Sequence, residues 1–123
     1  MKRILLADDE ESLLLAYKKL LYSPGIQIDT TQTVSEAAGL LKENFYDAII
    51  VDLRLEGSAE MDGIEIICHA RALYPEIKII VLTAYSDTPI KDTVLNAGAS
   101  YFLEKPTSAF QIKTLLSVMG VYS

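Results

Sequence analysis

The chain is written as short, unbroken apolar runs separated by longer stretches of helical periodicity. Ile4-Leu5-Leu6-Ala7, Ala48-Ile49-Ile50-Val51, Ile77 to Leu82 and Tyr101-Phe102-Leu103 are mostly aliphatic and do not alternate with polar residues. Such runs belong to strands covered on both faces, as in a parallel sheet. Ile26-Gln27-Ile28-Asp29 does alternate, which predicts an edge strand. Leu13, Ala16, Tyr17, Leu20 and Leu21 recur at helical spacing and predict a first helix with one apolar stripe. Ser35-Glu36 opens a second, around Ala37, Leu40 and Leu41, that ends near Asn44. Gly63 to Tyr74 reads as a third, with Ile66, Ile67, Ala70 and Leu73 inward and Pro75 as its stop. Thr88-Pro89 starts a fourth, followed by Gly98, and a fifth runs from near Thr107 to Met119 around Ile112, Leu115 and Leu116.

Five strands alternating with five helices predict an α/β fold: a doubly wound, five-stranded parallel sheet with helices on both faces. The expected strand order is 2-1-3-4-5, the flavodoxin-like arrangement. The 123 residues make one domain, expected over 1–119, with 120–123 a tail or the start of a linker. Lys plus Arg total 11 against 17 Asp plus Glu, a net charge of −6. An acidic surface repels phosphate backbones, so nucleic-acid binding through this chain is not expected. No apolar run approaches the ~20 residues of a membrane span, and the single Cys68 leaves no internal disulfide. A cytoplasmic protein is expected. Cys68 and His69 are adjacent but too few for a zinc site; Cys68 is expected in the core and His69 on the surface.

In open parallel sheets, ligands bind beyond the carboxyl ends of the strands. Asp8 and Asp9 follow the first apolar run, Asp52 the third, Thr83 ends the fourth, and Glu104-Lys105-Pro106 follow the fifth. With the strands in the expected order these groups share one mouth. Each has an ordinary role when taken alone: an Asp at a strand end caps or turns, and a Lys is a solvated cation. Together they are a chemical set. Crowded carboxylates repel one another, and a hard divalent cation such as Mg²⁺ relieves that repulsion. A phosphoryl group is then held by the metal, the Lys105 ammonium and the Thr83 hydroxyl, with Asp52 as the nucleophile.

In this order and spacing, Leu6-Ala7-Asp8-Asp9-Glu10, Tyr46-Asp47-Ala48-Ile49-Ile50-Val51-Asp52, Asp62-Gly63, Val81-Leu82-Thr83-Ala84 and Asn96-Ala97-Gly98-Ala99 leading to Phe102 and Lys105-Pro106 form a specific pattern. The chain resembles, over essentially its whole length, the CheY-like receiver domain of two-component response regulators. The resemblance implies that Asp52 takes a phosphoryl group from a histidine kinase or a small phosphodonor, in phosphorelay signalling. It implies that Asp8, Asp9, Asp52 and the backbone carbonyl of Arg54 hold Mg²⁺, and that Lys105 pairs with the phosphoryl group. Thr83 and Phe102 correspond to the switch pair whose movement changes a protein-interaction surface. The surface of the fourth helix, fifth strand and fifth helix is a homodimer face in this family, and Phe110 and Val118 add apolar side chains off the main stripe. A self-phosphorylating signalling domain is expected, not a metabolic enzyme.

Some positions depart from the family pattern. Leu53 to Met61 is longer than the usual link and lacks its proline, which reads as a surface loop extension or a partner-selecting loop. Thr107 replaces an apolar residue and reads as a cap for the last helix. Tyr85 and Arg54 are bulky flanks, and Tyr85 is expected to shield the phosphoryl group from water. Two other readings compete. A haloacid-dehalogenase-type phosphatase wants Asp-x-Asp after the first strand, where this chain offers Asp8-Asp9-Glu10. A receiver-like docking module without phosphorylation has no need of all five site groups.

Overall fold

In the computed structural model, residues 2–53, 61–83, 88–105 and 107–121 are described. Strands β1 (Lys2–Ala7), β2 (Ile26–Thr31), β3 (Ala48–Asp52), β4 (Lys78–Thr83) and β5 (Tyr101–Glu104) alternate with helices α1 (Glu11–Leu21), α2 (Val34–Glu43), α3 (Met61–Leu73), α4 (Thr88–Ala97) and α5 (Ala109–Val118). All neighbouring strands pair in parallel, in the order β2-β1-β3-β4-β5. Three of the four unbroken apolar runs form the central strands β1, β3 and β4, whose faces are both covered. The fourth, Tyr101 to Leu103, is instead the edge strand β5, with Tyr101 exposed and Phe102 and Leu103 half-buried. On one face Leu5, Ala7, Ile49, Val51, Ile79 and Val81 pack against Ala37 and Leu41 of α2, Ile66, Ile67 and Ala70 of α3, and Val94 of α4. On the other, Ile4, Leu6, Ile50, Ile80 and Leu82 pack against Leu14, Tyr17 and Leu21 of α1 and Ile112 and Leu116 of α5. Val121, just past α5, belongs to this second core and donates its N–H to Leu116 O.

The helices are placed by chemistry the sequence carries. Thr33 caps α2: its Oγ1 accepts from Glu36 N–H at 3.1 Å, while Glu36 Oε1 receives the Thr33 hydroxyl in return. Ser108, rather than Thr107, caps α5, accepting from Gln111 N–H at 3.1 Å. Thr107 instead turns its hydroxyl to Gln111 Oε1, so α5 begins two residues later than the sequence suggests. At the end of α3, Arg71 donates to the carbonyls of Pro75 and Ile77 at 2.8 Å and to that of Gly98. Gly98 has φ +119°, and a Cβ there would lie 2.9 Å from Arg71 Nε. Only glycine both adopts that turn and admits the guanidinium.

Three sequence expectations about packing need correction. The buried stripe of α1 is Leu14, Tyr17 and Leu21, with Leu13 on its flank; Ala16 and Leu20 face outward. A helix of 3.6 residues per turn offers two overlapping stripes here, and the sheet takes the one centred on Tyr17. Leu73 is exposed and Tyr74 packs inward in its place. Cys68 is exposed, because Ile66, Ile67 and Ala70 already fill the inner side of α3. His69 beside it is on the surface as expected, 3.9 Å from Glu65.

Candidate functional site: a carboxylate cluster bridged by Lys105

Register brings the predicted residues together. Ala7 pairs with Val51, so Asp8 and Asp52 each stand one position beyond the same rung of adjacent strands. Asp52 pairs with Leu82, and Thr83 with Glu104, which sets Thr83 and Lys105 at the same edge. The β5 ladder runs one bond further: Lys105 N–H donates to Thr83 O at 2.7 Å. Three of these side chains are nearly closed to water, with Asp8 4%, Asp52 8% and Thr83 1% exposed.

Lys105 Nζ lies 2.8 Å from Asp52 Oδ2 and 3.0 Å from Asp8 Oδ2. One ammonium therefore bridges two buried carboxylates from different strands. Burial alone would lower the Lys105 pKa. The hydrogen bonds to Asp52 and Asp8 outweigh it and carry the pKa above the usual lysine value. Asp8 Oδ1 takes the Glu10 N–H at 3.0 Å, which turns the chain into α1. Glu10 is the N-cap by backbone alone, with no side-chain cap bond. Ligand oxygens of Asp8, Asp9 and Glu10 lie within 4.8 Å of one another, Asp8 buried and the other two exposed.

This arrangement has the composition of a hard-cation site: carboxylate oxygens only, crowded, and open to solvent on one side. It also offers a buried carboxylate, Asp52, already hydrogen-bonded to a cation. The cavity of about 450 Å³ at the opposite end of the strands, lined by Lys2, Phe45, Tyr74 and Val121 among others, includes none of these residues.

Residues 4–117 match the family described as the response regulator receiver domain. The chain belongs to that family. It is a receiver domain of two-component response regulators, a domain of phosphorelay signalling. The match and the observed strand order leave the haloacid-dehalogenase reading without support. Among relatives, the alginate biosynthesis transcriptional regulatory protein AlgB of Pseudomonas putida is 31% identical over 111 residues, 90% of this chain and 24% of AlgB. The photosynthetic apparatus regulatory protein RegA of Cereibacter sphaeroides is 29% identical over 119 residues, 97% of this chain and 63% of RegA. The receiver domain thus spans about a quarter of AlgB and less than two thirds of RegA. Among solved structures, the beryllofluoride-activated NtrC4 receiver domain dimer superimposes with TM-score 0.85 at 30% identity, covering 97% of this chain and 96% of that one. A response regulator from Burkholderia pseudomallei, with a phosphorylated aspartic acid, a calcium ion and citrate, superimposes with TM-score 0.83 at 27% identity, covering 91% and 64%. Receiver domains of this family bind a divalent metal and interact with histidine kinases.

The structure brings Asp8, Asp9, Asp52, Thr83 and Lys105 of this receiver domain to one edge. Phe102 pairs with Val81 and is half-buried against the α2–α3–α4 core. Arg54, Ala84, Tyr85, Pro106 and the stretch 54–60 lie outside the described residues. Glu10, which the sequence places in the acidic motif, joins the cluster because α1 starts one residue after it. Sequence reasoning gave Tyr17 a packing role alone. Its hydroxyl also donates to Thr107 O at 3.0 Å, a bond between residues 90 positions apart that no local pattern announces. Among the described residues, no helix is long and apolar enough to cross a membrane.

Proposed function

We propose that Asp52 accepts a phosphoryl group, with the donor a histidine kinase or a small acyl phosphate. The observation that carries this reading is the Lys105 ammonium set between Asp52 and Asp8. Phosphoryl transfer asks for positioning and charge neutralisation more than for covalent help, and an acceptor carboxylate held by a fixed cation supplies both. A carboxylate oxygen of Asp52 forms the new O–P bond as the bond to the donor breaks; acetyl phosphate leaves as acetate, a phosphohistidine as imidazole. The phosphorylated aspartic acid of the Burkholderia pseudomallei relative supports the chemistry.

The divalent ion in this reading is Mg²⁺, held by Asp8, Asp9 and Asp52, with the Arg54 backbone carbonyl completing the set; Glu10 stands near enough to contribute through its own carboxylate. When bound, it neutralises phosphoryl oxygens and orients the incoming group. Thr83 accompanies Lys105 at the edge, and its hydroxyl and the Phe102 ring are the pair that move on phosphorylation. Their movement changes the α4–β5–α5 face, where Leu95, Tyr101, Phe110 and Val118 are exposed apolar side chains that suit a homodimer; the NtrC4 receiver domain dimer supports this. The domain works in the cytoplasm as a switch without metabolic turnover, and its −6 charge leaves nucleic acid to other chains or segments.

Incubation with acetyl phosphate and Mg²⁺, followed by intact-mass measurement, tests the reading. A gain of about 80 Da that is absent in Asp52→Asn supports it. No gain in the wild type favours docking without phosphorylation.

A further inference from the structure

Tyr17 is the one residue of the α1 core stripe that carries a hydrogen-bonding group on its buried face. It packs in the same core as Leu6, Leu14, Ile50 and Leu82, and with them and Asp8 lines a small cavity beneath the acidic edge. Its hydroxyl reaches out of that apolar layer to Thr107 O, two residues beyond Lys105. A leucine would fill the same layer and offer no donor, so the hydroxyl needs an account of its own.

The neighbourhood supplies one. Lys105 is fixed on its N-terminal side by the β-ladder bond to Thr83 O. On its C-terminal side, Ser108 is committed to capping α5 and Thr107 Oγ1 to Gln111, both local bonds within the start of that helix. The Tyr17 bond ties the same stretch across the fold to α1, the helix that begins just after Asp8, Asp9 and Glu10. Burial raises the Tyr17 pKa, Lys105 lowers it and Asp8 raises it, so the phenol is near enough to feel both site charges and remains a donor at neutral pH.

We propose that Tyr17 is a positioning residue for Lys105: by holding the Thr107 carbonyl, it fixes the segment that delivers the ammonium between Asp8 and Asp52. This rests on the reading of Asp52 as phosphoryl acceptor. The lysine stem is long and flexible, and fixing the backbone on both sides of it removes freedom that the ammonium would otherwise have to lose on meeting the phosphoryl group.

Tyr17→Phe keeps the ring and removes the bond. With Mg²⁺ and saturating acetyl phosphate, the rate of phosphorylation at Asp52 is expected to fall roughly tenfold, while Mg²⁺ affinity stays within about twofold. In Tyr17→Phe/Lys105→Met the loss is expected to match that of Lys105→Met alone, because the hydroxyl acts through the ammonium. Tyr74→Phe, which removes a half-buried tyrosine hydroxyl bond at the far end of the sheet, controls for loss of stability and is expected to leave the rate unchanged. The NMR resonance of the Lys105 ε-methylene reads the same arrangement without phosphorylation: it moves in Tyr17→Phe and stays in Tyr74→Phe. A wild-type rate in Tyr17→Phe, full additivity in the double variant, or an unmoved Lys105 resonance overturns the proposal. If the wild type takes no phosphoryl group, the reading of Asp52 fails, and the resonance still decides whether Tyr17 places Lys105.

Discussion

Gly63 stands over the backbone of Leu53 with no room for a side chain between them. A Cβ at Gly63 would lie 2.6 Å from Leu53 Cα and 2.8 Å from Asp52 O. Both are main-chain atoms at the strand end that carries Asp52, the proposed acceptor, so no rotamer change relieves the overlap. The contact is sealed by Gly63 N–H donating to Leu53 O at 3.1 Å. Gly63→Ala is expected to cost about 1–3 kcal/mol and to slow phosphorylation at Asp52, because α3 or the end of β3 must shift. Gly39, inside α2, has nothing within 4 Å of an added Cβ. Gly39→Ala is expected to stabilise by roughly 0.5–1 kcal/mol through helix propensity. Urea unfolding of the two variants measures the contrast, and equal effects would remove the steric account.

Asp29 makes stability depend on acid pH. It receives the Tyr46 hydroxyl at 2.6 Å, Arg3 Nη2 at 2.9 Å and Gln27 Nε2 at 3.3 Å. Burial would raise its pKa, but the hydrogen bonds from Tyr46, Arg3 and Gln27 prevail and hold it below the ordinary 3.8. A carboxylate with a depressed folded pKa stabilises the fold above its ordinary value, and that contribution disappears as pH falls through the folded one. Asp29→Asn is therefore expected to be less stable than the wild type at neutral pH. As pH falls below the ordinary 3.8 and through the lower folded value, the gap should narrow, which thermal unfolding across the acid range would follow.

Much of this was legible in the chain, for a physical reason. Strands buried on both faces need no polar alternation, so Ala48 to Val51 declares both its element and its central place in the sheet. The polar residue that ends each such run lies at the sheet edge, and parallel register then gathers Asp8, Asp52, Thr83 and Lys105. Less legible were choices between overlapping apolar stripes. Leu14 and Leu15 are the same residue type one position apart, yet one is buried and the other exposed, because only docking against the sheet selects the face. The Tyr17 to Thr107 bond was hidden for a related reason: both ends look ordinary until α1 and α5 pack side by side. Cap identity at α5 turned on Ser108 against Thr107, neighbours with equivalent chemistry.

Tyr74 closes the C-terminal end of α2 from outside the helix. Its hydroxyl is shared between Leu41 O at 2.7 Å and Asn44 O at 2.9 Å, and its ring meets Phe45 edge-on with centroids 5.2 Å apart. Those carbonyls are among the last of α2, which lack partners within the helix. Tyr74→Phe is expected to cost on the order of 1 kcal/mol while leaving Mg²⁺ affinity unchanged. Chemical denaturation checks the first and calorimetric titration the second.

Lys105 is expected to oppose metal binding while promoting phosphoryl transfer, so that one substitution moves the two in opposite directions. Its ammonium occupies the space between Asp8 and Asp52, two of the carboxylates proposed to hold Mg²⁺. A cation so close repels a second one, and Coulomb energies at such range reach a few kcal/mol at partly buried sites. Lys105→Met keeps the stem and removes the charge. Mg²⁺ is then expected to bind several-fold tighter, because the ammonium no longer engages either carboxylate and its repulsion is gone. Phosphorylation from acetyl phosphate is expected to slow at least tenfold, since no fixed cation receives the charge of the incoming group. Asp9→Asn moves both quantities downward, which separates loss of a ligand from loss of the counter-charge. The same pair predicts an alkaline effect. A lysine with a raised folded pKa contributes stability that is full below its ordinary 10.5 and fades as pH rises through the folded value. Lys105→Met should lack that phase of alkaline destabilisation. Unchanged Mg²⁺ affinity together with an unchanged alkaline profile would mean that the ammonium does not sit between these carboxylates in solution.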